Sequence, residues 1–178
     1  MREQHLREAL PIVAAALGRK FGVRVSVGGG AARTDGQVIQ LPELPSDPAL
    51  RVLAWGYLAH EAGHLRYTDF AAYRQGAAEG PLQAALQNIL EDVRIERALA
   101  VPYPGTRATL AALVGRLVEE GDLEAPRADA HPAAVLAGYL LLALRREVLG
   151  QSVLGARAEA AEAVLRQVFP ARVVRRLR

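Results

Sequence analysis

Apolar residues recur every three or four positions along most of the chain, which predicts a protein built mainly from amphipathic helices. The first predicted helix covers residues 3–19, and Gly22 lies just past its end. Pro11 falls inside this helix and predicts a kink there. The apolar face of this helix consists of Leu6, Leu10, Val13 and Leu17.

Two short segments alternate apolar and polar residues instead, which is the pattern of half-buried strands. They cover residues 23–27 and 37–42. The glycines at 28–30 end the first segment, and Thr34-Asp35-Gly36 is a turn signal before the second. We expect the two strands to pair with each other as a hairpin, or as part of a small sheet.

Helical spacing resumes after these strands and continues almost to the end of the chain. Ser46-Asp47-Pro48 is a predicted helix start, and the helix that it opens extends to about Asp69. Gly80-Pro81 interrupts the pattern, and the next helix runs from Leu82 to about Val101. The predicted fold class is therefore α+β and mostly helical. Three further helical segments lie near residues 106–120, 132–149 and 156–177.

The composition agrees with a core of packed helices. Half of the residues are apolar but aromatic residues are scarce, so alanine, leucine and valine must fill the interior. Lys20 is the sole lysine and the formal net charge is only +3, so the basic character comes from arginine. Without a basic patch interleaved with aromatic residues, nucleic-acid binding is not favoured. The arginine-rich end, Arg172 to Arg178, leaves nonspecific DNA association as a further hypothesis.

The cysteine count and the apolar runs bear on the compartment. Cysteine is absent, so any metal must be held by histidine and carboxylate side chains. The N-terminus leads into an amphipathic segment and has no signal-peptide pattern. The longest apolar run, Pro132 to Leu144, is well short of the ~20 residues that span a bilayer. We expect a soluble cytoplasmic protein that does not associate with membranes.

The stretch His60-Glu61-Ala62-Gly63-His64 points most directly to chemistry, because it has the form HExxH inside a predicted helix. Residues four apart lie on one face of a helix, so the imidazoles of His60 and His64 can bind one metal ion. Glu61 then lies near the fourth coordination position, where a zinc hydrolase holds its water. The small residues Ala62 and Gly63 allow another element to approach closely.

A site of this kind needs a third protein ligand, and in zinc hydrolases of this broad type it comes from a later helix. The acidic pair Glu91 and Asp92 lies on the next predicted helix. Adjacent helical positions differ by about 100°, so only one of the two can point squarely at the ion. We favour Glu91 as the ligand because its side chain is longer, with Asp92 accepting a proton from a histidine ring. The reverse assignment stays open.

Several neighbouring residues have candidate roles around this site. Arg94 and Glu96 could orient the carboxylates or complete an ion-pair network. Tyr67 or Tyr103 could supply a phenol that stabilises an oxyanion, although we favour ordinary packing for both. For Asp69 we expect capping of the segment that follows it.

Two other histidines are not expected to bind metal. His131 precedes Pro132 and is predicted to begin a helix, and His5 is predicted to be exposed on the first helix. The alternative for the HExxH stretch and the acidic helix is that both are ordinary solvated helix faces.

Three segments together resemble the N-terminal region of cobaltochelatase CobT-like proteins and of the predicted metallopeptidases associated with von Willebrand A domains. The resemblance covers roughly residues 25–105, and the second and third segments are specific in combination. The segments are Ala32-Arg33-Thr34-Asp35-Gly36 with Ile39-Gln40-Leu41-Pro42, then His60-Glu61-Ala62-Gly63-His64-Leu65-Arg66-Tyr67-Thr68-Asp69-Phe70, then Asn88-Ile89-Leu90-Glu91-Asp92-Val93-Arg94-Ile95-Glu96.

This resemblance implies a zincin-like, metal-binding core over residues 1–105, with helices 106–178 packed on the same domain. It implies a small sheet whose edge strand binds extended peptide, beside the HExxH helix and the acidic helix. It also implies partnership with a MoxR-type AAA+ ATPase or a von Willebrand A domain protein. Such relatives usually continue through an acidic linker into a von Willebrand A domain. Because this chain ends earlier, we expect either the front domain of a longer protein or a stand-alone version.

The leading hypothesis from the sequence is a gluzincin-like zinc peptidase that acts on a peptide or protein substrate. Zn²⁺ would be bound by His60, His64 and one of Glu91 or Asp92, and Glu61 would be the general base. The alternative is a non-catalytic metal-binding or scaffold module of a CobT-like or MoxR ATPase-linked assembly.

Overall fold

A computed structural model describes residues 3–43 and 51–177 and shows an α+β protein that is mostly helical, as predicted. The strands are β1 (Arg24–Gly29), β2 (Arg33–Thr34) and β3 (Val38–Pro42). The helices are α1 (Glu3–Gly18), α2 (Val52–Tyr67), α3 (Phe70–Ala77), α4 (Pro81–Leu99), α5 (Thr106–Glu120), α6 (Pro132–Leu149), α7 (Gly155–Val168) and α8 (Ala171–Val174). None of the helices in the described ranges combines the length and apolar character needed to cross a membrane.

The contacts within the chain divide it into two compact units. The first consists of residues 1–73 and 94–116 and contains α1, the sheet, α2 and most of α5. The second consists of residues 74–93 and 117–178 and contains α6, α7 and α8. The boundary at residues 93 and 94 falls inside α4, which is one continuous helix. The predicted division of the chain at residue 105 stays a prediction.

The three strands form one sheet in the order β1-β3-β2. The expected small sheet, in which the two longer strands pair with each other, is confirmed. The alternative of a hairpin is wrong, because β1 pairs with β3 in parallel, with Val25 opposite Ile39. The antiparallel partner of β3 is the two-residue strand β2, with Thr34 opposite Ile39. The predicted turn signal is therefore correct, but it joins β2 to β3. A strand of two residues is too short to show the alternation by which the longer strands were recognised.

The core of the first unit forms where α1 and α2 pack beneath the sheet. The predicted apolar face of α1 is confirmed, since Leu6 and Leu10 are fully buried and Val13 and Leu17 pack against the same cluster. The sheet contributes every second residue of β3, as its alternating pattern predicted, and α2 contributes several small and apolar side chains. The fully buried members from these two elements are Ile39, Leu41, Leu58 and Ala62.

Two glycines of α2 lie where neighbouring helices come close. A Cβ atom at Gly56 would lie 2.7 Å from Leu113 Cβ of α5. A Cβ atom at Gly63 would lie 2.7 Å from Ile95 Cδ1 of α4. Such separations are shorter than van der Waals contact. Position 56 requires glycine for the observed packing, whereas a larger residue at position 63 would require the end of the Ile95 side chain to move. The expectation that a small residue at 63 admits another element is thereby confirmed.

The helix predictions are largely confirmed, with two corrections. Helix α3 was not predicted; Asp69 begins it, as its Oδ1 accepts hydrogen bonds from the backbone N–H groups of Ala71 and Ala72 at 2.9 and 3.1 Å. The segment predicted as one helix over 156–177 is divided into α7 and α8 at Pro170, which lacks the N–H that a continuous helix needs. The predicted helix start at residues 46–48 lies outside the described residues.

Candidate metal centre

Helix α2 carries the two histidines of the HExxH stretch on one face. The ring centroids of His60 and His64 are 4.9 Å apart, with the ring planes at 81° to each other. Both side chains are partly buried. The four-residue spacing therefore brings the two imidazoles together, as the sequence predicted.

A carboxylate from α4 holds the ring of His60. Its Nδ1 lies 2.9 Å from Oε1 of Glu96, whose side chain is only 3% exposed. An ionised carboxylate can only accept a hydrogen bond, so Nδ1 of the imidazole donates it and carries the proton. Nε2 is then the nitrogen suited to bind an ion. This is the arrangement by which proteins fix the tautomer and orientation of histidine ligands and raise their basicity.

The ring of His64 is held by Thr68, the residue at which α2 ends. Nδ1 of His64 lies 3.0 Å from Oγ1 of Thr68. The backbone N–H of Thr68 also donates to the carbonyl oxygen of His64 at 2.9 Å. The extended conformation of Thr68, with φ −85° and ψ 127°, ends the helix there. One residue therefore closes α2 and orients the second imidazole.

Among the described residues, His60, His64 and Asp92 form a group that could hold a metal ion. One nitrogen of each ring and one carboxylate oxygen of Asp92 all lie within 4.8 Å of one another. The continuity of α4 explains why Asp92 is placed here, because it lies one helical turn before Glu96, which contacts His60.

Of the acidic pair, Asp92 belongs to this group, although Glu91 was the residue that we favoured. Which of the two binds an ion stays a prediction. Glu91 is partly buried and does not belong to the group formed by the described residues. Glu96 contacts the ring of His60, the kind of contact that was expected of Asp92. The roles considered for Glu96 were orientation of the carboxylates or an ion-pair network, and the contact observed is with the imidazole of His60.

Asp92 is itself held by side chains from α4 and α6. It is 8% exposed, and its Oδ2 accepts a hydrogen bond of 3.2 Å from Nδ2 of Asn88. A guanidinium nitrogen of Arg145 lies 3.9 Å from the same oxygen. This contact could not be predicted from the sequence, because Arg145 is far away along the chain and its helix shows no pattern that marks a site.

Glu61, the predicted general base, is buried in α2 with 5% of its surface exposed. A carboxylate is buried only where partners compensate for its lost hydration. Its catalytic role stays a prediction.

The contacts of the two tyrosines agree with the expectation of ordinary packing. The hydroxyl of Tyr67 donates to the carbonyl oxygen of Ala98 at 3.2 Å, and that of Tyr103 donates to the carbonyl oxygen of Ala16 at 2.8 Å. Arg94 donates to the carbonyl oxygen of Tyr67 at 2.7 Å. In a separate contact, Nδ1 of His131 accepts from the N–H of Ala133 at 3.2 Å and caps α6, as predicted.

The residues of this site fit a divalent transition-metal ion. Two imidazoles and one carboxylate are the ligand types that zinc takes, and three protein ligands leave one position open. Donor atoms around a tetrahedral ion with bonds of about 2.0–2.1 Å lie about 3.4 Å apart. Donors that already lie within 4.8 Å of one another can reach that separation by small side-chain rotations.

Comparison with protein families places the chain in a known family. The model of the family described as cobalamin biosynthesis protein CobT matches residues 1–178. No curated protein matches the chain, and no solved structure does.

Proposed function

The chain belongs to the CobT family of cobalamin biosynthesis proteins, and from this premise we propose that it is the metal-binding module of a cobaltochelatase-related assembly. In this proposal His60, His64 and Asp92 bind a divalent transition-metal ion. The family suggests a role in cobalamin biosynthesis and does not point to a peptidase. The proposal therefore follows the alternative hypothesis from the sequence more closely than the leading one.

The observation that carries this proposal is that two imidazoles and one carboxylate converge, and that both imidazole rings are already oriented by neighbouring side chains. Ligand atoms of the three residues lie within 4.8 Å of one another. Glu96 and Thr68 each engage the Nδ1 atom of one imidazole, at 2.9 and 3.0 Å. Ordinary solvated histidines on a helix face have no need of such support, whereas histidine ligands almost always have it.

The donor set also selects the class of ion. Imidazole nitrogen suits Zn²⁺ and the neighbouring first-row ions, whereas Mg²⁺ and Ca²⁺ prefer oxygen ligands. Both Zn²⁺ and Co²⁺ accept two nitrogens and one carboxylate oxygen. In a chelatase-related protein Co²⁺ would be cargo, whereas Zn²⁺ would be a resident ion. Mg²⁺ is excluded from either role by the same chemistry.

Equilibrium dialysis against Co²⁺, Zn²⁺ and Mg²⁺ tests this proposal. We expect the wild-type protein to bind about one Co²⁺ or Zn²⁺ per chain and no Mg²⁺. The variants His60→Ala and Asp92→Asn should each weaken binding by about 100-fold or more, since a ligand contributes at least as much as the 10–100-fold of its supporting groups. His5→Ala is the matched control, because His5 is exposed on α1. Unchanged affinity in His60→Ala would disprove the proposal.

Peptide hydrolysis is the second candidate function, and the observation that favours it is Glu61 directly after His60 in the HExxH stretch. Glu61 would accept a proton from the attacking water and pass it to the leaving amine. Cleavage of unfolded proteins by the metal-loaded chain, lost in Glu61→Gln while metal binding is retained, would support this function. If the metal-loaded chain cleaves nothing and the variants still bind metal, the binding module is the remaining function.

A further inference from the structure

A buried arginine lies beside the carboxylate of the proposed metal site. Arg145 of α6 is 8% exposed, although arginine is seldom buried unless its charge has a partner. One guanidinium nitrogen lies 3.9 Å from Oδ2 of Asp92. Counted over their side-chain atoms alone, Arg145 and Asp92 are 10% and 12% exposed, so water screens their attraction only weakly.

The guanidinium is held in place from its other side. Nη1 of Arg145 donates to Oε1 of Gln151 at 3.3 Å, and Gln151 is 4% exposed. Gly150 ends α6 in the left-handed conformation, with φ 69°, and this turn brings the backbone N–H of Gln151 to the carbonyl oxygen of Arg145 at 3.2 Å. The corner between α6 and α7 therefore fixes the position of the positive charge.

Asn88 and Arg145 both contact Oδ2 of Asp92, so they set the orientation of the carboxylate that is proposed to bind the ion. The two contacts differ in one respect. The amide of Asn88 is neutral, whereas the guanidinium of Arg145 repels any cation that binds the same carboxylate. In a poorly hydrated site this repulsion is far stronger than it would be in water.

We propose that Arg145 is the internal counter-ion of Asp92 and weakens the grip of the site on its ion. This inference rests on the proposed function, because it concerns the same metal site. In the absence of metal, Arg145 neutralises the buried carboxylate and stabilises the fold. When an ion binds, it shares the carboxylate with Arg145 and is held less tightly for that reason. Such a site releases its ion readily, which suits cargo better than a permanent structural ion.

The test is a measurement of Co²⁺ affinity and of the Co²⁺ dissociation rate, with a chromophoric chelator as competitor. Arg145→Met removes the charge and keeps most of the side-chain volume. Arg146→Met is the matched control on the same helix, since Arg146 is partly exposed and pairs with Glu147 and Glu159. We expect Arg145→Met to bind Co²⁺ about tenfold more tightly and to release it more slowly, with Arg146→Met unchanged.

A second variant covers the case in which Arg145→Met does not fold without metal. In Gln151→Glu a carboxylate replaces the amide that contacts Nη1, so the guanidinium has a second anionic partner and repels the ion less. We expect tighter Co²⁺ binding here too. In an Asp92→Asn background, Arg145→Met should have no further effect on Co²⁺ affinity, because Arg145 acts through Asp92.

The outcomes separate this inference from the proposed function. If the wild-type protein binds no Co²⁺ or Zn²⁺, both are wrong. If the wild type binds Co²⁺ and neither Arg145→Met nor Gln151→Glu binds it more tightly, only the counter-ion inference is wrong. Weaker binding in Arg145→Met would also overturn it, since the guanidinium would then help to hold the ion.

Discussion

Each imidazole of the candidate site is held through its Nδ1 atom by a different side chain of the protein. Glu96 of α4 contacts His60, whereas Thr68, at the C-terminal end of α2, contacts His64 of α2 itself. Restricting the rings in this way lowers the conformational entropy that is lost when an ion binds. The affinity of the site should therefore depend on residues that do not touch the ion.

At the residue scale we predict that Thr68→Val weakens Co²⁺ binding by about tenfold, as expected for loss of a group that orients a ligand. Valine keeps the branched shape and loses the hydroxyl that contacts His64. Thr109→Val is the control, because the hydroxyl of Thr109 donates to the backbone carbonyl oxygen of Gly105, four residues earlier, at 3.3 Å. Isothermal titration with Co²⁺ measures both variants. Equal affinities in wild type and Thr68→Val would contradict the prediction.

The sequence was sufficient to identify the residues whose relation is local. His60 and His64 are related by helical spacing, and Asp92 of the acidic pair lies in one group with them, as was expected of one member of that pair. The choice within that pair could not be made from the pattern, because both helical stripes are partly apolar. The contact of Arg145 with Asp92 could not be predicted either, since it depends on the tertiary position of α6.

At the element scale, the approach of α5 to α2 depends on Gly56. We predict that Gly56→Ala destabilises the fold by about 1–3 kcal/mol, because the added methyl would meet Leu113 Cβ in a packed core. In Gly115→Ala, the matched control, the methyl meets nothing within 4 Å, so helix propensity should stabilise the protein by about 0.5–1 kcal/mol. Chemical denaturation of the two variants measures both effects. Equal stabilities would show that α2 and α5 do not pack this closely.

The turn between β2 and β3 predicts a pH effect on stability. The backbone N–H groups of Val38 and Gln37 donate to the carboxylate of Asp35, and they lower the pKa of that group below its ordinary value. A lowered pKa in the folded state means that the carboxylate stabilises the fold at neutral pH. This contribution is lost as the pH falls through the lowered pKa.

Urea denaturation of the wild type and Asp35→Asn from neutral to acidic pH tests this effect. The asparagine variant should be less stable at neutral pH, and the difference should shrink on acidification. A difference that is independent of pH would contradict the role of the charge.

The direction in which β1 pairs with β3 could not be predicted from the sequence, because it is set by the path of the chain through β2 and not by a local signal.

At the scale of the whole molecule, the family match spans residues 1–178, whereas the metal ligands predicted from the sequence lie within residues 60–92. The later helices showed no chemistry in their sequence. The contact of Arg145 with Asp92 gives α6 a part in the proposed site. Partnership with a MoxR-type ATPase stays a prediction, which co-purification of the metal-loaded chain with such an ATPase would test.

The claim that His60, His64 and Asp92 bind one metal ion is tested most directly by an anomalous-scattering map. The crystals are grown with Co²⁺ and measured at the cobalt absorption edge. We expect one strong peak within bonding distance, about 2.0–2.2 Å, of nitrogens of His60 and His64 and an oxygen of Asp92. A map with no peak between these three side chains, in crystals containing saturating Co²⁺, would contradict it.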